Sequence, residues 1–239
     1  EMLWQGNPAY WSRHAPVLFP IVGRVKDNKY SYKGQTFEMS QHGFARDMEF
    51  DLVFQTKDYL EFGLKSNEQT LLKFPFSFEL RLGYRLEDAT LIHTYEIKNI
   101  GSEEMLFSIG AHPAYHIEGN FEDYHLEFNK PEDQLQRTYL SDGLLHEKRS
   151  YPLQSDVKLP LSQELFADDA LVFEELNSDR VALFKGSQKL LEMEFADFPY
   201  FGIWTKPGAP FLCLEPWLGI ADAVGSSGEL SRKKGIIRL

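Results

Sequence analysis

Apolar and polar residues alternate with a period of two through most of this chain, and no other feature constrains its fold as strongly. Leu60, Phe62 and Leu64 alternate with Glu61, Gly63 and Lys65, so an extended backbone would carry one apolar and one wet face. Phe76-Ser77-Phe78-Glu79-Leu80-Arg81-Leu82 repeats the pattern. Tyr30-Ser31-Tyr32 and Thr36-Phe37-Glu38-Met39 flank Lys33-Gly34-Gln35, the spacing of a hairpin with a glycine turn. Residues 91–98 lead through Asn99-Ile100-Gly101 toward a strand over 105–109, and further strands are expected at 180–185, 190–195 and 211–214. Helical periodicity is poor, with residues 161–170 supporting at most a short turn of helix. Many short strands separated by turn signals predict an all-β chain, an antiparallel sandwich or barrel.

Composition bounds what such a chain can do. With 239 residues, 43% hydrophobic and 14% aromatic, one large core is within reach, and a single β domain over 1–239 is expected. The net charge of −11 argues against nucleic acid or an anionic membrane as partner. An anionic small molecule would need a local cluster of arginines. Cys213 is the single cysteine, which rules out an intrachain disulfide and any Cys-based zinc site. No apolar run reaches the ~18 residues that would span a bilayer, so no membrane partner is expected and the cytoplasm is the expected location.

Two residues invite proton chemistry. Glu215 follows four apolar residues in "FLCLEPW", which predicts a carboxylate at the inner end of a core strand. Burying it unpaired is costly, so it is either salt-bridged or a general base tuned by its surroundings. Trp217 beside it suits a site where apolar sugar faces stack on aromatic rings. His112 enters a proline at the end of another strand-like run, "IGAHPAYHI". It is either a polar plug in a turn or an acid that titrates near neutrality. His112 and His116, with Glu118 or His125, also raise a metal question, but Pro113 interrupts any regular element and no metal-binding pattern occurs. No metal and no cofactor are therefore expected. "QHGFARD" gathers His42, Gly43 and Arg46 in one turn, where glycine permits close backbone approach to a ligand and arginine can fork onto hydroxyls or phosphates. Its plainer reading is a charged loop with an Arg46–Asp47 pairing. "YWSRHAPVLFPIVGR" adds Arg13, His14 and Arg24. Nucleophile-elbow and nucleotide-binding motifs are missing. A glycosidase would need a second carboxylate, for which Asp168, Asp169 and Asp222 are undifferentiated candidates.

Together, "WSRHAPVLFPIVGR" (11–24), "QHGFARD" (41–47), "GAHPAYHI" (110–117) and "LCLEPWLGIAD" (213–222), in this order and at these distances, resemble the aldose 1-epimerase (galactose mutarotase-like) family, particularly its LacX-like branch. The resemblance spans nearly the whole chain. It implies a large antiparallel β-sandwich with a sugar cleft across one face and a small-molecule partner, a sugar or sugar phosphate. It implies that His112 is the general acid on the ring oxygen and Glu215 the general base on the anomeric hydroxyl. By the same resemblance His42 and Arg24 contact the sugar, Arg13 and Arg46 match basic residues that hold phosphate in a hexose-6-phosphate branch, and Asp169 matches, loosely, an aspartate on the sugar hydroxyls. Members of the family usually carry extra strands before "LWQ" and after "GIIRL", so terminal strands are expected to be missing here. The rival from another class is a non-catalytic carbohydrate-binding sandwich.

Overall fold

The computed structural model describes residues 2–132, 136–150 and 157–239. The hairpin at Gly34 is formed by β1 (Lys29–Tyr32) and β2 (Gln35–Glu38), with Tyr30 opposite Phe37. An antiparallel four-stranded meander follows: β3 (Asp51–Gln55), β4 (Tyr59–Lys65), β5 (Phe78–Glu87) and β6 (Thr90–Asn99). Alternate residues of β4 and β5, Leu64, Phe78, Leu80 and Leu82, bury against Phe19, Phe44 and Phe74. Between these strands lies a helical turn that hydropathy did not foretell, Glu68–Leu71. Its capping box explains it: the Asn67 side chain accepts from the Gln69 and Thr70 amides, and the Thr70 hydroxyl accepts from the Asn67 amide.

The strand expected over 105–109 is broken at Ser108. β7 (Leu106–Phe107) pairs with β19 (Ile237–Arg238), whereas β8 (Ile109–Gly110) pairs with β18 (Phe211–Leu218). Ser108 itself is fully buried; its amide donates to the Pro20 carbonyl and its hydroxyl accepts from the Val22 amide. The ladder changes partner at that residue, which ties the meander to the second half of the molecule.

That second half is a sandwich. β9 (Ala114–His116), β10 (Tyr124–Phe128), β11 (Arg137–Ser141), β12 (Leu144–Ser150), β13 (Lys158–Pro160), β14 (Leu171–Phe173), β15 (Arg180–Lys185), β16 (Gln188–Glu194) and β17 (Tyr200–Trp204) complete the strands. One sheet of seven runs β12-β11-β14-β17-β18-β8, with β9 also on β18. A second runs β13-β10-β15-β16. Leu126, Phe128 and Leu183 of the smaller sheet interlock with Phe201, Ile203, Leu212 and Leu214 of the larger, the apolar interior of an antiparallel β-sandwich. The short helix foreseen within 161–170 is a single 3-10 turn, Gln163–Phe166.

Period-two alternation then dictates the other face of the large sheet. With Phe201, Ile203, Leu212 and Leu214 turned inward, Gly202, Trp204, Cys213, Glu215 and Trp217 must point to the opposite side. Leu18 and Val22 from the N-terminal segment pack there against Val172 and Trp217. That face of the sheet is thus roofed by residues that precede the hairpin.

Candidate active site

A cavity of about 320 Å³ opens on that face. Glu215 stands in the middle of β18 rather than at its inner end, directly opposite Gly202 of β17. β18 is buried along both faces, so its sequence is a near-continuous apolar run in which the one carboxylate is conspicuous. Gly202 has a steric reason to be glycine: a Cβ there would lie 2.4 Å from the Trp217 ring. The indole therefore lies across the glycine and helps line the cavity beside the carboxylate.

His112 leaves β8 and reaches the same point. Its Nε2 lies 3.3 Å from Glu215 Oε2, with His112 7% and Glu215 2% exposed. Aromatic rings enclose the imidazole. Trp11 stacks on it with centroids 4.9 Å apart and planes at 29°, while Trp204 and His42 approach it edge-on at 5.8 and 5.7 Å. Burial pushes the His112 pKa down to about 3 and Glu215 well above the usual carboxylate range. For Glu215, nearby Trp217 opposes that rise and the charge of Asp169 adds to it. The two shifts describe one situation: a dry site disfavours an isolated charge on either group.

His42 sits in the turn that "QHGFARD" predicted. Its amide donates to the Gly23 carbonyl, and its Nδ1 accepts from the Gly23 amide at 3.1 Å. An accepting Nδ1 carries no proton, so the proton of the neutral ring is on Nε2. Burial, with the charges of His112 and the two arginines, holds His42 well below the usual histidine range. It is a neutral hydrogen-bond donor at physiological pH. The next residue corrects one expectation. Gly43 does allow a close approach, but to protein: a Cβ there would sit 2.2 Å from the Phe19 carbonyl oxygen.

Asp169 also lines the cavity. It is left-handed, with φ of 72°, and its carboxylate accepts from the following amide at 2.8 Å. Behind it, buried Arg137 donates to the carbonyls of Asp168, Asp169 and Ala170. The local conformation is thus held from the neighbouring strand β11.

The structure brings His112, Glu215, His42, Arg46, Asp169 and Trp217 around this one cavity. Two further candidates do not line it. Arg24 pairs with Asp142 at 2.6 Å and bonds Asn28 and the Asp142 carbonyl, fastening the tip of the β11–β12 hairpin. Arg13 pairs with Asp47 at 2.6 Å and donates to the Arg46 carbonyl. Arg13 therefore takes the close contact with Asp47 that a charged-loop reading would give to Arg46, whose Nε is 3.9 Å away. Nor do the other members of the metal question join His112: His116 is exposed and His125 bonds Glu127. The donor atoms of His112, Cys213 and Glu215 lie within 4.8 Å of one another, but Cys213 is wholly buried and does not line the cavity. Sequence reasoning missed Trp11 and Trp204. Nothing in their local sequence sets either apart from other aromatic residues, and only the tertiary structure shows that they touch His112.

Among the described residues, six side chains have a buried nitrogen or oxygen atom with no hydrogen-bond partner, and four of these side chains line the cavity: Arg46 (Nε), His112 (Nδ1), Glu215 (Oε2) and Trp217 (Nε1). Each such group costs about 1–3 kcal/mol when left unpaired. Their concentration on one cavity makes it the candidate ligand site, with both donors and acceptors on its wall.

Comparison with known proteins gives the same direction. The family described as aldose 1-epimerase matches residues 1–224. The chromosomal LacX protein of Lactococcus lactis subsp. lactis is 34% identical over 253 aligned positions, covering 100% of this chain and 85% of the relative. A galactose mutarotase related enzyme from Lactobacillus acidophilus, solved by X-ray crystallography, superposes with a TM-score of 0.94 at 39% identity, covering 100% of this chain and 82% of that one. A galactose mutarotase-like protein from Lactobacillus casei ATCC 334 gives a TM-score of 0.94 at 30% identity, with 100% and 84% covered.

Proposed function

The chain belongs to the aldose 1-epimerase family, and from that premise we propose that it interconverts the α and β anomers of a free or phosphorylated hexose by acid–base ring opening. The observation that carries this reading is the buried Glu215 Oε2, without a hydrogen-bond partner, on a cavity it shares with a histidine 3.3 Å away.

Glu215 takes the proton of the anomeric hydroxyl, and the O–H electrons form the C1 carbonyl as the bond from C1 to the ring oxygen breaks. The ring oxygen takes a proton from His112. Rotation about C1–C2 presents the other face of the aldehyde, and closure returns both protons with the roles reversed. The chemistry needs one acid and one base that exchange duties, and a buried pair holding a single dissociable proton is such a couple. In the protein alone, burial disfavours the charge-separated form; the hydroxyls of a bound sugar would favour it by bonding to Glu215. His42 Nε2–H and Trp217 Nε1–H serve as donors to sugar oxygens, and Asp169 as an acceptor. Neither cofactor nor metal enters these steps.

Arg46 bears on the choice between a free sugar and its phosphate. It lines the cavity, its Nε without a hydrogen-bond partner and 3.9 Å from Asp47, whereas Arg13 does not line it and meets Asp47 at 2.6 Å. An anionic group would therefore meet one guanidinium rather than two.

The test is anomer exchange by NMR with glucose, galactose and their 6-phosphates, using the wild-type chain, Glu215→Gln and His112→Asn. Acceleration by the wild type and its loss in both variants is the expected result. Sugar binding without acceleration by the folded wild-type protein would replace the enzyme with a carbohydrate-binding sandwich.

A further inference from the structure

The strand that carries Glu215 is also connected to His112 through a column of rings. Phe211 and Glu215 share one face of β18, four residues apart. Trp11 stacks near-parallel with Phe211, with centroids 5.5 Å apart and planes at 27°, and with His112 at 4.9 Å and 29°. Trp204 of neighbouring β17 meets Trp11 edge-on at 5.6 Å and lies tilted against Phe211 at 5.5 Å. Base and acid are therefore indexed to the same strand: Glu215 covalently, and His112 through Phe211 and Trp11.

The imidazole needs this support. The chain turns into Pro113 immediately after it, and His112 Nδ1 is buried with no hydrogen-bond partner. A histidine that does proton chemistry is commonly oriented by a hydrogen bond from its second ring nitrogen to a carboxylate or carbonyl. Here the ring plane is set by stacking instead. An indole face also attracts an imidazolium more than a neutral imidazole, because the ring quadrupole is negative on its face.

We propose that Trp11 is a positioning residue for His112: its indole holds the imidazole plane against Glu215 and stabilises the protonated ring that delivers the proton. The proposal rests on the acid–base reading of His112. Trp11 is part of the cavity lining, so the competing role is a platform for the sugar.

Three variants separate these roles. Trp11→Leu removes the ring and keeps apolar volume, Trp11→Phe keeps a smaller stacking face, and Trp11→Met is a second non-aromatic change should the leucine chain fold poorly. kcat and KM are measured by anomer exchange, and the His112 Hε1 resonance by NMR without sugar. The leucine and methionine chains should lose about 2- to 30-fold in kcat, the range of one cation–π contact, with KM little changed. The phenylalanine chain should recover most of that loss. In parallel, the upfield ring-current shift of His112 Hε1 should vanish in the non-aromatic chains and persist with phenylalanine. A raised KM at unchanged kcat would make Trp11 a sugar platform and overturn the proposal, as would equal losses in the leucine and phenylalanine chains. An unchanged His112 resonance in the leucine chain would overturn it by itself, even if the wild type proved unable to exchange anomers, the result that defeats the epimerase reading.

Discussion

Among the described residues two close acid–base pairs are buried, and they are built in contrasting ways. Lys233 and Asp222 meet at 3.1 Å with exposures of 6% and 4%. Lys233 also donates to the Ile220 carbonyl, and the second Asp222 oxygen accepts from the Lys26 amide. The Asp222 backbone bonds Arg24 and Leu145. The pair fastens together the segment after Gly23, the β11–β12 hairpin and residues 220–222, three parts of the cavity wall. His112 and Glu215 are as deeply buried and nearly as close, yet His112 Nδ1 and Glu215 Oε2 lack hydrogen-bond partners. A satisfied pair spends its hydrogen bonds on the fold. The second pair leaves polar atoms unpaired, at a cost in stability that the fold carries, and our proposal gives those atoms to the sugar.

The contrast can be broken most directly at the rates. Glu215→Gln and His112→Asn should each reduce anomer exchange by about 10²–10⁴-fold, the span of one general acid or base, while circular dichroism and the melting curve show an intact fold. At the other pair the effects should fall on stability. Lys233→Met strands a buried carboxylate and should cost about 3–5 kcal/mol, read as a drop in the denaturant midpoint, with exchange per folded molecule far less affected. A lysine variant that kept its stability but lost turnover would dissolve the distinction.

Gly202→Ala probes the boundary between fold and site. The added methyl would meet the Trp217 ring at 2.4 Å, so the indole that lines the cavity must shift. A loss of about 1–3 kcal/mol of stability is expected, together with weaker sugar binding in a titration followed by tryptophan fluorescence.

How much of this was legible in the sequence differs along the same line. Strands with one wet face, such as β4 and β6, declare themselves by alternation. β18 is buried on both sides, so its apolar run hid its length and set Glu215 at an end instead of the middle. His112 and Glu215 stood out because polar residues at the ends of apolar runs need a reason, whereas His42 came from a glycine turn and Asp169 from a loose resemblance; the structure brings all four to one cavity. Arg24 and Arg13 were legible as cations but not as partners of Asp142 and Asp47, since those pairings depend on chain segments 118 and 34 residues away. Trp11 and Trp204 were opaque, because aromatic composition says nothing about which face meets an imidazole.

The smallest effect is also the most diagnostic, because it reads the two proton sites separately. Glu215 has a raised folded-state pKa, so between the ordinary carboxylate value and that higher one the folded chain binds more protons than the unfolded chain. Stability contributed there is complete at low pH and is lost as pH rises through the folded value. His112 is the mirror case. With its folded pKa lowered to about 3 from 6.5, the unfolded chain binds more protons in that window, and stability is lost as pH falls through it. Melting temperatures followed across pH should therefore show Glu215→Gln gaining on the wild type as pH rises above about 4.5, and His112→Asn gaining as pH falls below about 6.5. If both histidine and glutamate variants ran parallel to the wild type throughout, the two groups would titrate in the fold as they do in the unfolded chain, and the proposed proton couple would lose its support.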